Sequence, residues 1–245
     1  MGNNRQIIYE RLGRYRIVRV KSSETDVLLQ KLLPDPELVF SQGRTIVTPP
    51  WKNPATDKVV IEINSSRYFF KRFNDQGWIH RFKNAFRRSR AEKSWHAARL
   101  LNARGIPTPL PSLFIEDRLL GLLFRSYILF PHLEGGKSFL ESWPLLDTEE
   151  QKESLSQLGG IIGKMHRDGL LHGDLNWRNI ILCRGDRNLR FFLVDLDGYR
   201  LSKGVSGKLA EKDITHFLRD VDRAKAGEGL RNVFLKKWRE AAGFF

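Results

Sequence analysis

The chain of 245 residues contains a single cysteine, Cys183, so neither an intramolecular disulfide nor a cysteine-based zinc site can be built from it, and a reducing compartment is expected. Long hydrophobic runs are missing too. The stretches 119–124 and 127–130 are far short of a bilayer span, and residues 1–6 carry no apolar signal core. Gln6 stands where a myristoylation site needs Ser or Thr. Together these absences predict a protein of the cytoplasm or of the cytoplasmic face of a membrane. Repeats, low-complexity tracts and an evident linker are also lacking. Acidic residues are scarce in one region: from Lys71 to Arg104 there are ten basic residues against Asp75 and Glu92, within a chain of net charge +14. Such a field attracts polyanions such as nucleotide, nucleic acid, anionic lipid or phosphorylated glycan, and it also suits a solvated, solubilising face.

What is present is an ordinary globular composition, 41% hydrophobic and 29% charged, large enough for one big domain or two lobes. Residues 7–20 alternate enough for a strand or two, and 24–33 read as a short helix. Three strands are expected at 38–47, 58–63 and 68–73, the last two joined by the turn residues Asn64 to Arg67. A basic helix is predicted over 75–103, with a break near Ser89, ended by Gly105, Pro107 and Pro109. Strands follow at 112–115 and 122–130. Beyond residue 134 the pattern turns helical. Leu155, Leu158, Ile162 and Met165 share one face of a helix over 147–167, for which Thr148 and Gln151 form the expected capping box. Further core-facing stripes run over 212–223 and 230–238.

The most informative segment is His172-Gly173-Asp174, followed by Asn179 and, sixteen residues later, by Asp195 at the end of an apolar strand. A carboxylate and an amide five positions apart on one loop, with a second carboxylate where a buried strand meets solvent, is the spacing of a phosphoryl-transfer centre. One carboxylate orients the attacking hydroxyl, and oxygen ligands hold Mg²⁺ across the triphosphate. His172 is expected to hold the loop by hydrogen bonds rather than to shuttle protons.

Lys71, flanked by apolar residues of the last strand before the basic helix, is placed to reach nucleotide phosphates, whereas Arg72 points to the opposite face. Two readings fit Glu92, the only acid between Asp75 and Glu116: the carboxylate partner of Lys71, or an exposed helix acid. The expected phosphate-covering loop, residues 48–57, contains no glycine, so no backbone cradle is read there. Trp78, Phe82 and Phe86 recur at helical spacing among Arg81, Lys83, Arg87 and Arg88. That pattern fits both a helix packed on the sheet and one resting on an anionic membrane, and the charges would supply about 1 kcal/mol per basic residue in the second case. Aromatic residues are not arranged as a single-strand stacking platform, so no nucleic-acid partner is expected.

These motifs resemble the lipopolysaccharide kinase (Kdo/WaaP) family of the protein-kinase-like superfamily. The resemblance is carried by 68–73, 91–97, Arg104 to Pro109, Met165 through Asn179, 194–197 and 211–214. It implies an α+β, two-lobed fold with a small antiparallel-sheet N-lobe (1–133) bearing one long helix and a mostly helical C-lobe (134–245). It implies ATP and Mg²⁺ as cofactors, Lys71 on the phosphates, Asp174 as catalytic aspartate, and Asn179 and Asp195 as metal ligands. It implies as acceptor a hydroxyl of a lipid-linked inner-core sugar, heptose or Kdo (3-deoxy-D-manno-octulosonic acid), reached by docking on the anionic inner-membrane surface. Where relatives often carry an acid, this chain has Ser94. The 50 residues after Asp195, with no Ala-Pro-Glu motif among them, leave little room for peptide-docking helices, as in sugar kinases and in compact atypical protein kinases. A basic pseudokinase or scaffold is the non-enzymatic alternative.

Overall fold

The computed structural model describes residues 6–33, 35–42, 44–45, 56–74, 77, 87–185, 188–202 and 204–243. The chain forms two compact units, Met1–His96 with Leu110–His132, and Ala97–Pro109 with Leu133–Phe245.

The first unit is built on one antiparallel sheet. Its strands are β1 (Ile7–Leu12), β2 (Tyr15–Val20), β3 (Arg44–Thr45), β4 (Thr56–Ile63), β5 (Ser66–Phe73), β6 (Leu113–Leu119) and β7 (Leu122–Pro131), in the order β1-β2-β6-β7-β5-β4-β3. Asn64 (φ 50°) and Ser65 (φ 60°) both adopt the left-handed conformation that a two-residue hairpin between β4 and β5 requires. Alternation along β5 then decides which face each side chain meets. Tyr68 and Phe70 join Ile17, Val59, Ile61, Leu113, Ile115, Tyr127 and Leu129 under α1 (Ser23–Leu32) and α2 (Pro36–Gln42). Phe73 joins Val18, Phe114 and Ile128 on the other face, against Ala91 and Trp95 of α3 (Arg90–Ala103).

One expectation fails here. Residues 38–42, read as a strand, belong to α2. Pro36 and Phe40, one helical turn apart, are its buried residues, and Asp35 accepts the Glu37 N–H at 2.9 Å to start it. The apolar run Leu38-Val39-Phe40 thus places one ring in the core rather than alternating. The expected break near Ser89 is present: residues 87–89 are non-helical, and α3 starts at Arg90 with the Ser89 hydroxyl accepting the Glu92 N–H at 3.0 Å. Residues 48–55 of the expected phosphate-covering loop, and Trp78, Arg81, Phe82, Lys83 and Phe86 of the expected membrane-facing stripe, lie outside the described residues.

The second unit packs α5 (Thr148–Arg167), α6 (Gly207–Arg223) and α7 (Gly227–Ala242) around one apolar core with the short α4 (Phe139–Ser142). Two small sheets flank residues 172–179. One orders β11 (Leu189–Leu193), β10 (Ile180–Arg184) and β8 (Lys137–Ser138), and the other pairs β12 (Arg200–Leu201) with β9 (Leu170–Leu171). The capping box of α5 is not Thr148/Gln151. Asp147 accepts the Glu150 N–H at 2.8 Å while Glu150 accepts the Asp147 N–H at 3.1 Å. Gln151 instead donates to the carbonyls of Trp143 and Leu146. α5 and α7 approach closely because Gly163 lacks a side chain. A Cβ there would meet the Trp238 carbonyl oxygen at 2.5 Å.

Candidate active site

In the second unit, the chain leaves β9 at Leu171 and runs through His172, Gly173 and Asp174 into a 3₁₀ turn, Trp177–Asn179, that opens β10. Leu175 and Trp177 are fully buried, which anchors the loop from below. Gly173 has φ +84°, and a Cβ on it would lie 2.3 Å from the Gly198 carbonyl oxygen, so only glycine fits. Asn176 caps the turn by accepting the N–H groups of Arg178 and Asn179. The Asp174 carboxylate, about half exposed, is held from two sides: Asn176 Nδ2 donates to Oδ1 at 3.1 Å, and Asn179 Nδ2 to Oδ2 at 3.1 Å. The structure thus brings Asp174 and Asn179 together. An amide that donates through Nδ2 directs its Oδ1 elsewhere, and this oxygen is the atom a hard cation takes.

His172 is fully buried and acts as the expected brace. Its Nε2 donates to the Val194 carbonyl at 3.1 Å and its Nδ1 accepts the Asp174 N–H at 3.4 Å. This ties the loop to the residue before Asp195. Burial pushes the imidazole below its ordinary pKa, and the carboxylates of Asp213, Asp195 and Asp174 oppose that without cancelling it. Asp195 itself sits in the left-handed region at φ 64°, ψ 55°, an unfavourable conformation for a side-chain-bearing residue that clusters at functional sites. The segment ending α3 supports the same strand end. Thr108 donates to the Leu193 carbonyl at 2.8 Å, and the Pro107 carbonyl accepts the Leu193 N–H at 2.9 Å.

Asp213 of α6 had no role assigned from the sequence, yet it organises the loop. Its two oxygens accept the N–H groups of His172 and Gly173, each at 2.8 Å, and His166 Nε2 lies 3.1 Å away. The indole of Trp238 donates to His166 Nδ1 at 2.9 Å. An indole only donates, so His166 carries its proton on Nε2 and gives it to Asp213. Burial alone would raise the Asp213 pKa, but the hydrogen bonds from His166, Gly173 and His172 outweigh it and hold the carboxyl below the usual range. Two helical turns on, Asp220 accepts the Trp177 N–H at 2.9 Å. The only sequence signal was a pair of acids at i and i+7 on an amphipathic helix.

In the first unit, Lys71 is buried (5% exposed) and pairs in register with Ile128, on the face of the sheet that α3 covers. Its Nζ stands 4.7 Å from the centre of the Phe73 ring. Arg72 takes the other face, where it meets Glu37 and Asp57. Glu92, also buried, meets Arg16 at 3.2 Å and His96 at 3.7 Å. Arg16 bridges Glu92 to the fully buried Glu116, which further accepts from Arg118 at 2.9 Å. Burial of Glu116 would raise its pKa, but hydrogen bonds from Arg118, Ser89 and Arg16 keep it low. Ser94 is buried at 4% exposure.

Among the described residues no group of three or more His, Cys, Asp or Glu side chains is assembled into a metal cage. Asn179 and Asp195 instead offer hard oxygen donors of the kind a Mg²⁺ shared with phosphate oxygens accepts.

Residues 55–235 match the lipopolysaccharide kinase (Kdo/WaaP) family over about three quarters of the chain. The chain belongs to this family. Among its relatives is a 3-deoxy-D-manno-octulosonic acid kinase of Xylella fastidiosa (strain 9a5c), 30% identical over 148 residues that cover 60% of this chain and 56% of that one. The enzyme of the same description from Haemophilus influenzae (strain 86-028NP) is 30% identical over 116 residues, covering 46% and 47%. The chain thus spans about half the length of the curated relatives it matches. A solved structure of WaaP in complex with acyl carrier protein shares the fold, with a TM-score of 0.64 at 17% identity over 86% of each chain. The α+β, protein-kinase-like architecture implied by the sequence motifs is the one this family member has.

Proposed function

We propose that the chain is an ATP-dependent kinase that transfers the γ-phosphate to a hydroxyl of a lipopolysaccharide inner-core sugar, heptose or Kdo. The observation that carries this reading is the Asp174 carboxylate, exposed yet fixed by two amides on a loop whose backbone N–H groups converge on Asp213. Asp174 orients the acceptor hydroxyl and takes its proton as the new oxygen–phosphorus bond forms and the bond to the ADP oxygen breaks. Asn179 Oδ1 and the Asp195 carboxylate would hold Mg²⁺, which would neutralise phosphate charge when bound. Lys71 offsets phosphate charge. Glu92 belongs to the same nucleotide-binding set, held in the first unit by Arg16.

No helix of the described residues is long and apolar enough to cross a membrane. The proposed place of action is the cytoplasmic face of the inner membrane, approached through the basic segment that includes the exposed Arg87 and Arg88.

The decisive measurement is phosphate transfer from ATP, with Mg²⁺, to a lipid-linked Kdo acceptor. Asp174→Ala should lower the rate by about 10²–10⁴-fold while leaving ATP binding and the melting temperature near wild type, since it removes positioning and proton transfer rather than packing. Full activity in that variant would remove Asp174 from the mechanism.

A further inference from the structure

Helix α6 carries a second feature beside the two aspartates that hold the catalytic loop. Lys208, Lys212, His216, Arg219 and Arg223 are all exposed and, at about 100° per residue, fall within an arc of about 80°. The buried residues Ala210, Ile214, Phe217 and Val221 occupy the opposite side. The basic row runs about 22 Å along the helix. Its charge is largely uncompensated. Arg223 approaches Asp220 at 3.6 Å but remains 76% exposed, and among the described residues no ion pair engages Lys208, Lys212 or Arg219. Of the helix's own acids, Asp213 and Asp220 face the loop backbone, and Asp222 pairs with Arg231 at 2.8 Å. Glu211 lies about 60° outside the arc.

The row meets the candidate site at its middle. His216 Nδ1 stands 3.6 Å from Asp174 Oδ1, with Lys208 and Lys212 before it along the helix and Arg219 and Arg223 after it. A molecule lying along α6 would therefore pass Asp174 and present to it the part that crosses His216. It must be anionic at several points, because one acidic group cannot answer five basic side chains. It must also present a hydroxyl. A sugar acid satisfies both conditions.

We propose that this face of α6 is the docking surface for an acidic saccharide acceptor, its carboxylate or phosphate groups lying on Lys208, Lys212, Arg219 and Arg223 while His216 borders the reacting hydroxyl. The inference rests on the kinase reading of Asp174 and adds to it the surface that selects the acceptor. Exposed charges attract over roughly a Debye length, about 8–10 Å at physiological salt, so the row acts on the ligand before contact and its effect falls as salt rises.

The test is calorimetric titration of the full chain with a lipid-free Kdo oligosaccharide, with a neutral dextran oligosaccharide and with inorganic phosphate, alongside phosphate transfer from ATP. Lys212→Glu with Arg219→Glu should weaken Kdo-oligosaccharide binding at least tenfold, and the milder Lys212→Gln with Arg219→Gln by less. The melting temperature and its rise with Mg²⁺-ATP should stay as in wild type. Neutral dextran should bind far more weakly than the acidic sugar, and inorganic phosphate should compete only at high concentration. Equal binding by wild type and the charge-reversed variant would overturn the proposal, as would wild type that fails to bind the acidic sugar. Displacement of the sugar by a lower concentration of single-stranded RNA of matched charge would make the row a nucleic-acid site and overturn it too. Acidic-sugar binding that depends on the row but leads to no transfer refutes the kinase reading and leaves the docking surface standing. Unimpaired transfer in both variants does the reverse.

Discussion

In the first unit the carboxylates face guanidinium groups: Asp117 meets Arg14, Glu92 and Glu116 meet Arg16, Glu10 and Asp26 meet Arg19, and Glu37 and Asp57 meet Arg72. In the second, the buried carboxylates of Asp213 and Asp220 face backbone N–H groups of the loop that carries Asp174. The two solutions do different work. An arginine pair joins side chains of neighbouring elements and leaves each several ways to adjust, whereas an aspartate on consecutive amides fixes the path of the chain itself. A loop that must hold a reacting carboxylate needs the second kind of restraint. A sheet face that carries the proposed nucleotide-binding residues tolerates the first.

Asp213→Ala tests the stronger side of this contrast. It strips the acceptor from two backbone donors and from His166 in a site 5% exposed, and should cost about 3–5 kcal/mol in urea denaturation. Phosphate transfer should fall with it, and Asp213→Asn should recover part of both. Glu116→Gln in the first unit should cost less, about 2–3 kcal/mol. Glu116 is fully buried, but Arg16 is 38% exposed and keeps part of its hydration when its partner loses charge. A larger loss for Glu116→Gln than for Asp213→Ala would reverse the ranking and with it the view that backbone-directed carboxylates define the site.

The elements of the candidate site were legible because they are local. His172 to Asn179 is one short loop, and Asp195 follows an apolar strand, so spacing alone placed them. The hairpin of β4 and β5 and the apolar stripe of α5 were legible for the same reason. What holds them was not. Asp213 lies 41 residues from the His172 amide it serves, and Arg16 lies 100 residues from Glu116. No periodicity links such partners. The helix over 36–42 was misread because Leu38-Val39-Phe40 has strand composition while only Pro36 and Phe40, one turn apart, are buried. The cap of α5 was misplaced by one residue because Thr148/Gln151 and Asp147/Glu150 both satisfy the capping pattern, and only the chain path through Leu146 selects the second.

The pH dependence of stability probes the second unit next. His172 is buried and its folded pKa lies below the ordinary value, so the unfolded chain takes up a proton near pH 6.5 that the native loop refuses. Stability therefore falls as pH drops below about 6.5, by up to about 1.4 kcal/mol per pH unit, until the folded pKa is reached. Asp213 acts lower. Its folded pKa is depressed, so its contribution is complete above about pH 4 and is lost only as pH falls through the folded value. Melting temperatures between pH 7.5 and 5 should decline in wild type, and His172→Asn should flatten that decline. An unchanged slope would mean that the imidazole takes up its proton in the fold as readily as in the unfolded chain.

The smallest effect sets both kinds of restraint on one residue. Glu150 accepts the Asp147 N–H to close the cap of α5, and it also meets Arg184 at 2.6 Å. The cap is backbone-directed, while the Arg184 pair joins two side chains, one of them 56% exposed. Asp147→Ala should cost about 1 kcal/mol, the usual loss for an N-cap. Arg184→Ala should cost about 0–0.5 kcal/mol, because water solvates an exposed guanidinium nearly as well as the carboxylate does and holding the pair restricts both side chains. Glu150→Ala should resemble Asp147→Ala, and adding Arg184→Ala to it should change nothing further. If Arg184→Ala alone cost as much as Asp147→Ala, exposed guanidinium pairs would rank with backbone caps. The distinction between the two units would then be one of burial rather than of what the carboxylates hold.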